Sequence, residues 1–309
     1  MRVFSRRGFV QMAGAACFAG SAKAINAVAP AAYPIQLGLV VGGKRGEDPA
    51  VALARVKKLG FSNCQMSFEG LSVDIVPALK RAMATSGVRV TAVMELGPGP
   101  KVWDFYHGPS TIGLIPVSTR RARIDALKLA ADVAHGAGIE AVHTHCGFIP
   151  ENPNDPVYAE AVTAIHEVAA HCKDKGVLFM CETGQETPIT LLRMIEDVGL
   201  DNMRVNLDTA NLILYGKGNP SDAMDVIGKY VHGLHGKDGL FPTNPKNLGR
   251  EVAIGQGKVD FRDVMRRLKA LNYHGPLTIE REIEGPEQTK DIVASKVYLE
   301  KLIAETYAS

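Results

Sequence analysis

The chain has 309 residues, 46% of them hydrophobic and 22% charged, with a formal net charge of +2. That is enough apolar material for one large domain with a full core, and no apolar run approaches the ~18 residues of a membrane-spanning helix. The charge is misleading: residues 1–24 carry Arg2, Arg6, Arg7 and Lys23 and no acid, and without them 31 Lys and Arg face 33 Asp and Glu. Such a body lacks the basic stripe on which nucleic-acid binding depends, so no nucleic-acid partner is expected.

The N-terminus reads Ser5-Arg6-Arg7-Gly8-Phe9-Val10-Gln11, then a small-residue, weakly apolar stretch, then Ala22-Lys23-Ala24. A basic start, an apolar middle and an A-x-A end describe a secretory signal, and the paired arginines make it a twin-arginine one. The expectation is a signal over residues 1–24, irregular chain to about residue 30, and a periplasmic body over 33–309 with no stable membrane association. A lipid anchor through Cys17 fits less well, because Gly14 stands where a Leu-like residue is expected. The remaining Cys64, Cys146, Cys172 and Cys181 show no C-x-x-C spacing and sit mostly in apolar runs, so buried free thiols are expected although the compartment permits disulfides.

From Ala32 onward, strand-like and helix-like patterns alternate. Strands are predicted near 35–41, 61–66, 88–94, 139–145, 177–182, 203–208, 231–236 and 276–281. Helices are predicted between and after them, at Ala50–Leu59, Val73–Thr85, Arg120–His135, Tyr158–Lys175, Ile189–Val198, Ser221–Ile227, Phe261–Leu271 and Lys290–Glu305. Gly60, Gly87 and Gly176 follow helical patterns as stop signals. Eight β/α pairs imply an α/β fold, a closed parallel (β/α)8 barrel, rather than an open sheet. An open doubly wound sheet would want a glycine-rich turn after the first strand, and Val41-Gly42-Gly43-Lys44 is not one.

Barrel chemistry gathers at the C-terminal ends of strands. The fifth to eighth strands end on Glu182, Asp208, His235 and Glu280, in the runs VLFMCETG, MRVNLDTAN, YVHGLHGKD and PLTIEREIE. A single carboxylate at a strand end is usually a helix cap, but four metal-type groups at four successive ends are hard to reach by accident. Three oxygen ligands and one nitrogen suit one divalent ion, Mn²⁺ foremost, with Mg²⁺, Co²⁺ or Zn²⁺ also accommodated. Other strand ends offer Asn63-Cys64-Gln65-Met66, Glu95, and His143 and His145, of which His145 is nearer the mouth. A buried histidine there is as often a core residue as a functional one. The long loop 96–117 carries Trp103, Phe105, Tyr106 and His107, which reads either as an aromatic lid for a sugar ring or as a loop tucked onto the barrel. A second long loop, 239–258, holds Gly255-Gln256-Gly257, a tight turn without the register of a phosphate cradle.

Together these residues resemble the sugar phosphate isomerase/epimerase superfamily of xylose isomerase-like barrels. The matching pieces are Cys181 to Glu186, Asn206 to Leu212, His235 to Asp238, Ile254 to Gly257 and Tyr273 to Glu280, spread over about 35–305. The resemblance implies that Glu182, Asp208, His235 and Glu280 hold one divalent metal and that Glu182 and Glu280 also move a proton next to a substrate carbonyl. On that chemistry His145, Asn211, Lys237 and Gln185 are expected to contact a small carbohydrate, and Trp103 to do so if the loop 96–117 is a lid. Ketose 3-epimerases of this fold carry a His where this chain has Asn211 and an Arg where it has Phe241. A DNA-repair relative, endonuclease IV, needs further His ligands that are not present. The expected activity is therefore a metal-dependent isomerase or epimerase acting on an unphosphorylated sugar or sugar derivative. A lyase cleaving 3-keto-glycosides by β-elimination is the second reading, and a non-catalytic, metal-dependent carbohydrate-binding protein the third. A homo-oligomer is compatible with all three.

Overall fold

Among the described residues five helices have proline as their first residue, and four of these have a capping side chain just before it. Asp48, Asp155, Thr187 and Asn219 accept backbone N–H groups ahead of Pro49, Pro156, Pro188 and Pro220, and the last helix starts at Pro286 behind Gly285. Such starts satisfy orphan amides and pre-set the helical φ. The computed structural model describes residues 34–308, so the signal reading of residues 1–24 and Cys17 lies outside the described residues.

The strands are β1 (Gln36–Gly43), β2 (Asn63–Phe68), β3 (Arg89–Met94), β4 (Ala141–Thr144), β5 (Leu178–Glu182), β6 (Met203–Asp208), β7 (Val231–Gly236), β8 (Asp238–Leu240), β9 (Arg250–Val252) and β10 (Pro276–Ile279). The helices are α1 (Pro49–Lys58), α2 (Val76–Ser86), α3 (Gly108–Thr111), α4 (Val117–Ala137), α5 (Pro156–Asp174), α6 (Pro188–Val198), α7 (Asn211–Leu214), α8 (Pro220–Ile227), α9 (Phe261–Ala270) and α10 (Pro286–Tyr307). Strands β1 to β7 pair in order and in parallel, and β10 closes the ring between β7 and β1. This is the expected (β/α)8 barrel. β8 and β9 form a separate antiparallel hairpin on the loop after β7.

Several strands start later than the apolar runs do, for one physical reason. Phe61, Ile139 and Val177 each follow a left-handed glycine and donate their N–H back to the preceding helix, to Val56, Ala134 and Cys172. These are the apolar residues of helix-ending motifs, not the first rungs of the ladder. The loop 96–117 was expected to lack regular structure; it contains the single turn α3, and α4 begins at Val117 rather than Arg120. The loop 239–258 is likewise not open chain, since it carries most of the β8–β9 hairpin.

Strand alternation sorts the side chains. Phe179, Cys181, Val205, Leu207, Leu234, Leu277 and Ile279 join the main core between barrel and helices. Their neighbours Met180, Asn206 and Thr278 fall on the other face, where Met180, Ala92 and Ala141 form a small cluster of their own. One residue further on, the same alternation brings Glu182, Asp208 and His235 to the barrel mouth. Among the described residues Cys64, Cys146, Cys172 and Cys181 are buried free thiols. Cys172 lies in α5, within the helix predicted at Tyr158–Lys175, and Sγ of Cys146 is 3.0 Å from Sγ of Cys181.

Candidate metal centre

Four side chains from four successive barrel strands converge. One donor atom each from Glu182, Asp208, His235 and Glu280 lies within 4.8 Å of all the others. Nδ1 of His235 is 3.3 Å from Oε1 of Glu182, 3.3 Å from Oε2 of Glu280 and 3.6 Å from Oδ2 of Asp208. Glu280 is the most open of the four, with 13% of its side chain exposed.

Local bonds aim these groups. Asp208 spends Oδ1 on capping the short turn α7, accepting from the N–H of Ala210 at 2.8 Å and of Asn211 at 2.7 Å. Its Oδ2 is buried and has no hydrogen-bond partner among the described residues, and the same holds for Nδ1 of His235. Two orphaned donor atoms facing the same point, flanked by two further carboxylates, fit a divalent cation. The residue after each of Glu182 and Asp208 stitches its strand to the next. The hydroxyl of Thr183 accepts from the Asp208 N–H at 3.0 Å. That of Thr209 donates to the Lys237 carbonyl at 2.5 Å and accepts from the Lys237 N–H at 3.1 Å.

The cluster has a compensating positive side. Nζ of Lys237 lies 3.2 Å from Glu280, 2.7 Å from Glu282, 3.9 Å from Asp208 and 3.3 Å from Oδ1 of Asn211. Burial works to discharge this lysine, but Glu280, Asp208 and Glu282 together hold its pKa well above the usual lysine value. His235 follows the same logic: burial opposes the charge, and Glu280 and Glu182 overcome it, so its pKa is raised. Burial would raise the carboxyl of Glu182, yet the His145 and His235 imidazoles keep it well below the carboxylate range. In Glu280 burial is again outweighed, here by Lys237 and His235, and the carboxyl is lowered. Both glutamates are therefore ionised at neutral pH.

The other expected residues divide. His145 reaches Glu182 Oε1 with Nε2 at 3.3 Å, and its Nδ1 meets Oε1 of Gln185 at 3.2 Å. Asn211 donates to Glu182 Oε1 at 3.2 Å. Trp103 is 42% exposed and stands edge-on to the His145 ring at 5.0 Å, while Phe105 packs on Tyr215, which also meets Phe148. The loop after β3 is thus both anchored by aromatics and extended to the mouth. Lys237 is fully buried and would touch a substrate only by releasing one of its acceptors. Glu95 stays outside the cluster and accepts the N–H of Gly97. His143 is deeper than His145 and brings Nδ1 to 3.2 Å from Glu182 Oε2, its own pKa lowered by burial.

Sequence reasoning offered Gln65 as a strand-end candidate but missed its contact with His235 and Asn206, and it missed Glu282 as a partner of Lys237 and Glu186 as a buried carboxyl without a hydrogen-bond partner among the described residues. The E-x-E spacing of Glu280 and Glu282 was the one readable signal. The Gly255–Gly257 turn also proves to be occupied. Asp238 accepts N–H groups from Gly239, Gly255, Gly257 and Val259 at 2.8, 2.9, 2.9 and 3.1 Å, filling the amide nest with its own carboxylate. A Cβ at Gly257 would fall 2.0 Å from that carboxylate, so the turn requires glycine there.

Comparison with known proteins agrees with this architecture. A xylose isomerase domain protein from Planctomyces limnophilus is 31% identical, with a TM-score of 0.82 over 89% of this chain and 100% of the other. A xylose isomerase-like TIM barrel protein from Mycobacterium smegmatis, solved in complex with magnesium, shares the fold at 18% identity, with a TM-score of 0.65 over 89% and 98% of the two chains. So does a 3-keto-D-glucoside 4-epimerase from E. coli, at 16% identity and a TM-score of 0.62 over 86% and 99%. A D-psicose 3-epimerase and an L-ribulose 3-epimerase share the fold at 14% and 18% identity. The profile of the xylose isomerase-like TIM barrels matches residues 53–302, and the chain belongs to that family.

Proposed function

We propose that this protein is a divalent-metal-dependent sugar isomerase or epimerase that moves a proton on the carbon beside a carbonyl. The observation that carries the reading is the meeting of two ionised glutamates, Glu182 and Glu280, on one imidazole nitrogen, with Asp208 completing the donor set. Glu182, Asp208, His235 and Glu280 would hold the ion, with Mn²⁺ or Mg²⁺ suited to an oxygen-rich set. A cation held there supplies Lewis-acid polarisation of a substrate carbonyl, which acidifies the neighbouring C–H.

The remaining chemistry belongs to the chain. One glutamate takes the proton and the other returns one, to the opposite face or to the adjacent carbon. The charge of Lys237 keeps Glu280 ionised and fixes its orientation. Asn211 and His145 orient Glu182 and present polar edges to hydroxyl groups, and Trp103 supplies a flat wall for the C–H face of a sugar ring. The signal at residues 5–11 would deliver the folded barrel to the periplasm, which favours unphosphorylated sugars.

A second reading rests on Asn211 and Phe241, which stand where ketose 3-epimerases have His and Arg. Without that pair, a 3-keto-glycoside is a better candidate than a free ketose, and proton removal there also permits β-elimination. Incubation with Mn²⁺ and a panel of keto-sugars in D₂O decides between them. Deuterium in recovered sugar that has lost no group supports the isomerase, and loss of an aglycone or water supports the lyase. No exchange with any substrate that binds leaves a carbohydrate-binding protein. Near-normal exchange by Glu280→Gln would overturn the assignment of the glutamates.

A further inference from the structure

We propose that Gln65 is a positioning residue that selects which nitrogen of His235 faces the ligand cluster, and so sets the affinity of that cluster for a divalent cation. The inference rests on reading the cluster as a metal centre. His235 is fully buried, and its two nitrogens face different surroundings. Nδ1 looks at three carboxylates, while Nε2 lies 2.7 Å from Oε1 of Gln65. The other end of the Gln65 amide donates from Nε2 to Oδ1 of Asn206 at 3.0 Å. Asn206 sits two residues before the ligand Asp208, so the relay runs from β6 through β2 to β7.

An amide has a donor end and an acceptor end, so the relay has a polarity. With the Gln65 oxygen toward Nε2, the imidazole must keep its proton there, and only Nδ1 can offer a lone pair. A histidine that ligates through one nitrogen is commonly held in this way by a partner on the other. The space for the relay is reserved by Gly233, two residues before His235. A Cβ at that position would lie 2.6 Å from Oδ1 of Asn206 and 3.1 Å from Nε2 of Gln65. Gln65 is 170 residues from His235 in sequence and touches no carboxylate of the cluster through any hydrogen bond among the described residues.

The test compares full-length wild type with Gln65→Leu and Gln65→Glu, using Mn²⁺ itself as the probe in an EPR titration. Gln65→Leu removes the acceptor and should weaken Mn²⁺ binding by about 10- to 100-fold. Gln65→Glu keeps an oxygen at Nε2 and should hold affinity within roughly threefold of wild type. If Gln65→Leu does not fold, Asn206→Ala frees the amide to turn and should give a smaller loss of affinity in the same direction. Equal Mn²⁺ affinity in the wild type and in a folded variant lacking the acceptor overturns the proposal, as does an equal loss in Gln65→Leu and Gln65→Glu. A second readout separates this idea from the metal reading. With ¹⁵N NMR at a pH where the ring is neutral, the His235 proton should sit on Nε2 in wild type and lose that preference in Gln65→Leu. Wild type that binds none of Mn²⁺, Mg²⁺, Co²⁺ or Zn²⁺ refutes the metal centre, and the tautomer measurement then decides the role of Gln65 alone.

Discussion

Asn211 donates to Oε1 of Glu182 at 3.2 Å and accepts from Nζ of Lys237 at 3.3 Å. One amide therefore ties the carboxylate at the end of β5 to the ammonium after β7. Asn211→Leu should cut proton exchange by about 10- to 100-fold, because two buried charged groups lose a shared partner. The melting temperature should fall only slightly, since α7 is held mainly by the Asp208 cap. Exchange kinetics and a thermal melt on the same preparation check both halves.

Lys237→Met keeps the length of the side chain and removes its charge. Glu280 and Asp208 then keep only His235 as a cationic neighbour and Glu282 loses its lysine partner, so stability should drop by about 3–5 kcal/mol. Lys237→Arg should not restore it, because a planar fork does not fit a pocket built around a compact ammonium. Denaturant unfolding at pH 7 measures the loss, and an unchanged midpoint in Lys237→Met would contradict the ion-pair geometry.

Acidity should act on the ion through His235. Its pKa is held well above the ordinary histidine value of 6.5, and a cation at Nδ1 must displace that proton. Affinity for Mn²⁺ should therefore fall about tenfold per pH unit as pH drops below the raised value. The sign for stability runs the other way. In chelator-treated protein the charged imidazole stabilises fully below about 6.5 and loses its contribution as pH climbs through the raised value. The depressed carboxyls of Glu182 and Glu280 contribute above the usual carboxylate value of 4.5 and are lost as pH falls below it. Melting curves from pH 4 to 10, with EDTA and with Mn²⁺, should diverge on the alkaline side.

Burial pushes the carboxyl of Glu186 up to about 8 from 4.5. The folded chain keeps a proton that the unfolded chain releases, so stability declines as pH rises from 4.5 to about 8. Glu186→Gln should remove this slope. Its advantage should be on the order of a few kcal/mol at pH 8 and vanish near pH 4.5, as thermal melts across that range would show.

Trp103→Ala should raise KM about 3- to 10-fold with kcat and melting temperature nearly unchanged, because the exposed ring meets His145 by its edge and carries no part of the core. A fall in kcat of the same size would instead assign Trp103 to closure over the reacting carbon.

The barrel and the four side chains that converge at its mouth were legible because both follow from short-range pattern. Apolar runs of strand length ending on Glu182, Asp208, His235 and Glu280 carry their meaning locally. The β8–β9 hairpin was hidden because Arg250-Glu251-Val252 has a single apolar residue and pairs with Asp238-Gly239-Leu240 across a loop. The turn α7 was hidden because its start is set by Oδ1 of Asp208, a residue also needed by the cluster. The Gln65 relay joins three strands that only barrel closure brings together, and no local spacing announces it.

Asp238 gives the rim its own foundation. Its carboxylate gathers both ends of the 239–258 excursion onto one point, next to His235 and Lys237 but independent of them. Residues 241–248 lie outside that knot, whereas Gly249 is pinned to α7: its N–H donates to the Leu214 carbonyl at 2.8 Å, and a Cβ there would fall 2.0 Å from the Leu240 carbonyl. The rim and the cluster are therefore fastened separately: one carboxylate ties down the excursion after β7, and different side chains gather at the barrel mouth below it.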